Sequence, residues 1–476
     1  MKKTKIVATL GLVSETKGTI KKMIESGMNV ARLNFSHGDF AWHERVIKII
    51  RDLEKKMDVP VGILADLQGP RIRIANDEEI SISPKETVLV MEGSGKAPSS
   101  GQSKKVILID LPKIVSLVNV GNEILIEDGL LKLRVVKKAR KALECVVVDG
   151  GAVKPRKGVN IPGISGKLGA LTEQDKKVLK FAIKHDVDYV GISFVRNAKE
   201  IQDLKRLINR YSAGKSVAQV VAKIERREAV QNFASILKAT DAVMVARGDL
   251  GVEMPQTELP LIQKDLISKC LRSAKPVIVA TQMMDSMIRN PRPTRAEVSD
   301  VSNAVIDHTD AVMLSGESAS GKYPVEAVRI MAEIIEKTEK SNFDDLPHGF
   351  LEDKQSSISA AVAQSAHELA KDSKAKAIIV ASVSGFTARM IARHRADQSV
   401  FVVTNNRKTQ NQMALVRGVE SYLLPECKTM DELIGKAMNL LKSKKALRRG
   451  DKVIVVAGRP HVKKEHMSLV KVEEIA

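Results

Sequence analysis

The sequence predicts a (β/α)8 TIM barrel with a small β-barrel domain inserted in it and an open α/β domain after it. Three observations predict this. Eight short apolar runs between Lys5 and Lys340 are each followed by polar or glycine-bearing residues and then a helical pattern. From Arg71 to about Ser165 the pattern changes to short alternating runs separated by turn residues. After the turn-rich stretch Asn342 to Gln355, strand and helix patterns resume in an order that suits an open α/β unit. With 476 residues, 43% of them apolar, the chain is long enough for several cores.

The eight barrel runs are Ile6 to Leu10, Val30 to Leu33, Val61 to Leu64, Tyr189 to Phe194, Val217 to Ile224, Ala242 to Val245, Pro276 to Ala280 and Ala311 to Leu314. The opening Met1-Lys2-Lys3-Thr4-Lys5 before an apolar run resembles a signal peptide. Ser14-Glu15-Thr16-Lys17 follows without a small-residue cleavage site, so the run reads as the first strand. The insert shows strands at Val88 to Val90, Val106 to Ile109, Glu123 to Glu127, Leu131 to Val136 and Cys145 to Val148. It carries Lys132, Arg134, Lys137, Lys138, Arg140, Lys141, Lys154, Arg156 and Lys157, and it leaves from a rim loop. Two readings stand for these cations: a lid over an anionic ligand and a solvated basic face. The last unit reads as helix Ser357 to Lys371, strand Ala377 to Val380, a helix from Phe386, strands Val400 to Val403 and Tyr422 to Leu424, helix Met430 to Lys442 and strand Lys452 to Val456. The expected domains are 1–70 and 166–345 for the barrel, 71–165 for the lid and 346–476 for the C-terminal domain.

A net charge of +20 points to anionic partners. Aromatic residues are only 3%, and no RNP platform, zinc-finger spacing or basic arm accompanies the charge, so phosphorylated metabolites fit better than nucleic acid. Cys145, Cys270 and Cys427 form no CxxC pair and suit a reducing cytoplasm. No apolar run is long enough to span a membrane.

Two strand ends, Lys223-Ile224-Glu225 and Arg247-Gly248-Asp249, flank a helical stretch from Arg226 to Lys238. The resulting βαβ unit brings Lys223, Glu225 and Asp249 to one rim. Two carboxylates suit a hard divalent ion, with the lysine as a separate positive charge. The competing reading pairs them with Arg226, Arg227 or Arg247. Other strand ends offer Arg32, Asn34, Ser36, His37, Asp66, Ser193, Arg196, Thr281, Gln282, Ser315 and Glu317. Gly316 to Lys322 matches the first positions of a P-loop, but Tyr323 stands where a magnesium-binding hydroxyl belongs, so a Walker A site is rejected.

These strings resemble the pyruvate kinase family over essentially the whole chain. The matching segments are Arg32 to Gly38, Asp66 to Arg73, Lys157 to Asn160, Ser193 to Arg196, Lys223 to Glu225, Ala246 to Glu253, Ala280 to Met283, Pro293 to Glu297 and Leu314 to Glu317. The resemblance implies phosphoryl transfer from phosphoenolpyruvate to ADP, giving ATP and the enolate of pyruvate, which is then protonated. It implies Glu225 and Asp249 as ligands of Mg²⁺ or Mn²⁺, with a second Mg²⁺ on the nucleotide. Backbone N–H groups near Arg247, Gly248 and Asp249 would hold the substrate carboxylate, Arg32 the phosphate, and Lys223 the charge on the moving phosphoryl group and enolate oxygen. Asn34, His37, Arg73 and Lys157 would serve the nucleotide, and Thr281 would lie near the carbon that is protonated. A homotetramer is also implied.

In the potassium-dependent members, Asn34, Ser36, Asp66 and the carbonyl at Leu67 would hold K⁺. This chain has Arg71 where those members have glutamate, and it looks like the potassium-independent group, in which a lysine takes that place. Activity without K⁺ is therefore expected. Ser382, Ser384, Gly385 and Thr387 occupy the family's effector loop, where a phosphate site and a plain helix cap are equally suited. The segment Gly458 to Lys464 lacks the Gly/Thr-rich loop that helps many members bind fructose 1,6-bisphosphate, which leaves a sugar or nucleotide monophosphate as the open alternative. Two other functions compete: another Mg-dependent phosphoenolpyruvate or pyruvate barrel enzyme, and a basic nucleic-acid-binding protein on a barrel scaffold.

Overall fold

Eight parallel strands pair each with its sequence neighbour among the eight, and the first closes onto the last. They run Lys5–Leu10, Val30–Asn34, Gly62–Asp66, Tyr189–Ile192, Gln219–Ile224, Ala242–Ala246, Val277–Ala280 and Ala311–Leu314. The computed structural model describes residues 2–96, 104–127, 129–164, 169–214, 217–346, 350–351, 357–458 and 467–475. Parallel β-branched runs buried on both faces need helices outside and side chains within, which is how this barrel is filled. All eight carboxyl ends meet at one rim.

Two sequence readings change. Phe194 lies outside the fourth strand, in a left-handed conformation with φ of 56°. The stretch Arg226 to Lys238 is two helices, Arg227–Gln231 and Phe233–Ala239, because Asn232 breaks the run and donates its side-chain amide to the Arg196 carbonyl at 2.9 Å.

The insert has its own core, built from residues such as Val88, Ile107, Leu133 and Val147. Its seven-stranded sheet is closed by a bridge between Ile74 and Ile109, so it is a small barrel. Short strands Ile72–Arg73, Ile80–Ile82, Gly151–Val153 and Gly158–Asn160 escape the sequence reading, since two or three residues carry no legible alternation. The third unit is a five-stranded sheet, four strands parallel and the last, Met467–Glu474, antiparallel. Residues 459–464, on which part of the effector argument falls, lie outside the described residues.

The C-terminal unit also seals the lower end of the barrel. Ala414 and Leu415 pack with Val7, Leu64, Tyr189, Val221 and Met244 in one buried cluster, and the Tyr189 hydroxyl donates to the Gln412 carbonyl. Leu415→Ala should therefore lower stability by about 2–5 kcal/mol, measured by denaturant unfolding.

Candidate active site

Lys223 is the penultimate residue of the fifth strand and is nearly fully buried. Its Nζ lies 2.9 Å from Glu225 Oε1, 3.3 Å from Asp66 Oδ1 and 2.8 Å from Ser193 Oγ. Burial works against its charge, but Asp66 and Glu225 outweigh that and raise its pKa. Asp66 also faces Arg32, whose Nε and Nη2 reach Oδ2 at 2.9 and 2.5 Å. Burial alone would push Asp66 up, yet Lys223 and Arg32 hold it below the usual carboxylate range. Asp66 can lie here because Gly191 on the neighbouring strand has no side chain; a Cβ there would stand 3.0 Å from Asp66 Oδ1.

Glu225 Oε2 accepts the Phe194 N–H at 2.6 Å, so the left-handed turn at Phe194 aims an amide at this carboxylate. Burial, with Asp249 adding to it, raises the pKa of Glu225 against the opposing pull of Lys223. Asp249 sits in the first turn of helix Arg247–Glu253, directly after the sixth strand. That strand pairs with the fifth, Lys223 opposite Met244, so sheet register brings the two carboxylates together.

The competing assignment of these carboxylates to nearby arginines receives little support. Arg247 donates to Asp300 Oδ1 at 2.6 Å and to the Thr281 carbonyl at 2.9 Å. Thr281 and Gln282 both take left-handed backbone, and Thr281 Oγ1 accepts the Gly248 N–H at 2.7 Å. That amide, expected to face a substrate carboxylate, is thus held by Thr281 in this structure. A cleft of about 980 Å³ runs from Arg247, Gly248 and Asp249 past Thr281 to Ser315 and Glu317. Glu317 itself accepts the Met284 and Ser315 amides, which makes it a loop anchor.

On the other side of the rim, Asn34 Oδ1 accepts the Ser36 amide at 3.1 Å, and the Leu67 carbonyl accepts the Ser193 hydroxyl at 2.7 Å. Burial lowers the pKa of His37, and the guanidinium groups of Arg71, Arg73 and Arg32 lower it further. Arg71 is exposed. Lys157 is held by Glu127 at 2.5 Å, and its strand neighbour Gly158 pairs with Arg73.

The remaining lid cations divide. Lys132 and Arg134 pair with Glu123. Lys137, Lys138, Arg140 and Lys141 are exposed at the turn after strand Leu131–Lys138, at the end away from Leu131. Ile126 pairs with both Leu131 and Val159, so the Lys157 edge lies at the Leu131 end, on the order of 20 Å from that turn. Of the two readings of the basic cluster, the solvated face suits the exposed turn of Lys137, Lys138, Arg140 and Lys141, whereas Lys157 stands on the same edge as Arg73.

Residues missed by the sequence reading include Thr9, whose hydroxyl accepts from Arg32 at 2.8 Å, and Asp300, which anchors Arg247. Thr9 had a signal as a polar residue at a strand end, whereas Asp300 lies inside a helix and had none.

A rim that fixes a buried ammonium and a guanidinium beside paired carboxylates suits an anionic group in transfer. Barrel phosphotransferases form the matching class. Comparison with known proteins carries this further. The family model "Pyruvate kinase, barrel domain" matches residues 1–328, and "Pyruvate kinase, alpha/beta domain" matches residues 360–473. Pyruvate kinase of Geobacillus stearothermophilus is 42% identical over 478 residues, covering 100% of this chain and 81% of the relative. Pyruvate kinase 2 of Synechocystis sp. is 40% identical over 479 residues, covering 100% and 79%. A pyruvate kinase from Cryptosporidium parvum superposes with a TM-score of 0.91 at 34% identity, covering 100% of this chain and 96% of that one. The chain belongs to the pyruvate kinase family. It is a glycolytic transferase that moves the phosphoryl group of phosphoenolpyruvate to ADP, giving pyruvate and ATP.

Proposed function

We propose that transfer is direct, with Lys223 as the principal charge on the moving phosphoryl group and Arg32 as its phosphate anchor. The observation that carries this is the buried position of Lys223 Nζ among Asp66, Ser193 and Glu225, with Arg32 on the other side of Asp66. Such positioned charge is most effective where water is excluded. Thr281 serves the protonation of the enolate carbon in this reading, supported by the way Gly248 and Arg247 orient it. Arg247, Gly248 and Asp249 bind the substrate carboxylate side in this reading. Asn34, His37, Arg73 and Lys157 bind the nucleotide.

The residues present fit a divalent ion. Glu225 and Asp249 are hard oxygen donors that press on one another electrostatically, a pressure a cation relieves. Among the described residues no cluster of three or more His, Cys, Asp or Glu forms, so two protein carboxylates would hold Mg²⁺ or Mn²⁺. When bound, that ion would supply charge neutralisation for the substrate oxygens, and a second Mg²⁺ would arrive with the nucleotide.

K⁺ independence is supported by how three of the four expected K⁺ donors are used. Asn34 serves Ser36, Leu67 serves Ser193, and Asp66 is bonded to Arg32 and Lys223, while Arg71 adds a fixed charge nearby. The effector reading of Ser382, Ser384, Gly385 and Thr387 draws support from Arg389, which reaches the Ser384 carbonyl at 3.5 Å. Ser384 Oγ also accepts the Phe386 amide at 3.3 Å, a bond within the loop itself. The proposal includes a homotetramer in the cytoplasm with domain limits at 71–165 and 346; among the described residues no helix is long and apolar enough to cross a membrane.

Pyruvate production from phosphoenolpyruvate and ADP, coupled to a reporter enzyme with Mg²⁺, Mn²⁺ and K⁺ varied independently, tests the reaction and the ions together. Turnover without a divalent ion would sink the metal assignment.

A further inference from the structure

Glu253 closes the helix whose first turn carries Asp249, and it touches the lid. Its Oε1 accepts Nδ2 of Asn160, on lid strand Gly158–Asn160, at 3.0 Å. Its backbone carbonyl accepts Arg227 Nη2 at 3.3 Å. Arg226, the residue before Arg227, is only 6% exposed, with its guanidinium 4.8 Å from the centre of the Phe194 ring. The Nε and Nη1 groups of Arg226 have no hydrogen-bond partner. The carboxylates facing that guanidinium are Glu253, Glu225 and Glu228, with Arg196 as a like charge. Buried guanidinium N–H groups without an acceptor are unfavourable, so the arrangement with Glu253 on Asn160 leaves Arg226 unsatisfied.

We propose that Glu253 is a two-position latch: it holds Asn160 when the lid is down, and it turns to the free Nε and Nη1 edge of Arg226 when the lid strand leaves. Each partner stabilises one lid position, and the bond lost from Asn160 on opening is replaced by a charge-assisted pair. The lid has a core of its own, so it moves as a body. Lys157 immediately precedes strand Gly158–Asn160, and Arg73 pairs with that strand. The latch therefore fixes how far these lid cations stand from Asp249. Asn160 and Glu253 are positioning residues, for they act through the lid. The kinetic consequence rests on the proposed nucleotide role of Lys157 and Arg73; the latch itself does not.

The test is a distance measurement between spin labels on the full-length ligand-free protein. Lys141→Cys in the lid and Lys48→Cys on the barrel give two exposed sites, while Cys145, Cys270 and Cys427 are buried. Asn160→Ala should shift the ratio of short-distance to long-distance populations about three- to tenfold toward the long one. Glu253→Gln should shift it the opposite way, because the amide oxygen still accepts from Asn160 but offers Arg226 no charge. A merely structural role would loosen the lid in both variants. Shifts in the same direction, or no shift in either, would overturn the latch. As a separate arm, Asn160→Ala should raise KM for ADP more than KM for phosphoenolpyruvate. Moved distances with an unmoved KM ratio would retain the latch and reject the nucleotide assignment.

Discussion

Lys223→Met is expected to lower turnover by about 10²-fold or more while leaving KM for phosphoenolpyruvate nearly unchanged. The reason lies in what surrounds the ammonium. Its charge is maintained by Asp66 and Glu225 in a buried site, so it is fixed before the substrate arrives. A fixed charge is most effective where negative charge builds up during transfer, so its loss appears in kcat more than in binding. The same substitution leaves two buried carboxylates short of a cation, which should cost about 3–5 kcal/mol in the metal-free protein. Steady-state kinetics in Mg²⁺, with circular dichroism to show that the variant is folded, separates the two effects. Turnover within about threefold of the parent, well short of the loss expected for a preorganised charge, would remove Lys223 from the mechanism.

The second large effect concerns potassium. Adding K⁺ to a Na⁺- and K⁺-free assay at matched ionic strength should change the rate by well under tenfold, the order expected for one fixed charge. Arg71→Glu should cut the rate in that assay by about tenfold or more, because it replaces a positive neighbour of His37, Arg73 and Arg32 with a negative one. K⁺ should then restore part of the loss. Strong K⁺ activation of the parent protein would show that Asn34, Ser36, Asp66 and Leu67 still bind the ion despite the present partners of Asn34, Asp66 and Leu67.

Much of the architecture was legible from periodicity. Short apolar runs followed by polar or glycine-bearing residues marked all eight barrel strands, with limits that shift by a residue or two, because strands buried on both faces must be apolar throughout. The lid strands of two or three residues were not legible, since they are held by pairing with longer neighbours. The break at Asn232 was also hidden, because it depends on a carbonyl of Arg196 far away in sequence. Family membership, by contrast, rests on ordered motifs that survive without coordinates and is matched by the full-length relatives.

For the site, the sequence by itself determined which side chains reach the rim: strand direction alone brings Lys223, Glu225 and Asp249 to one end of a parallel barrel. Partners were decided only by the tertiary structure. Lys223 joins Asp66, from a strand 157 positions earlier, and Arg247 turns from the carboxylates beside it to Asp300 and Thr281. Among the lid's cations, Lys157 joins Arg73 at one edge, and Lys137, Lys138, Arg140 and Lys141 lie at a distant turn. Composition and spacing specify which charges exist and on which element. Only packing across chain-distant segments fixes the few ångströms that decide which charge each one meets.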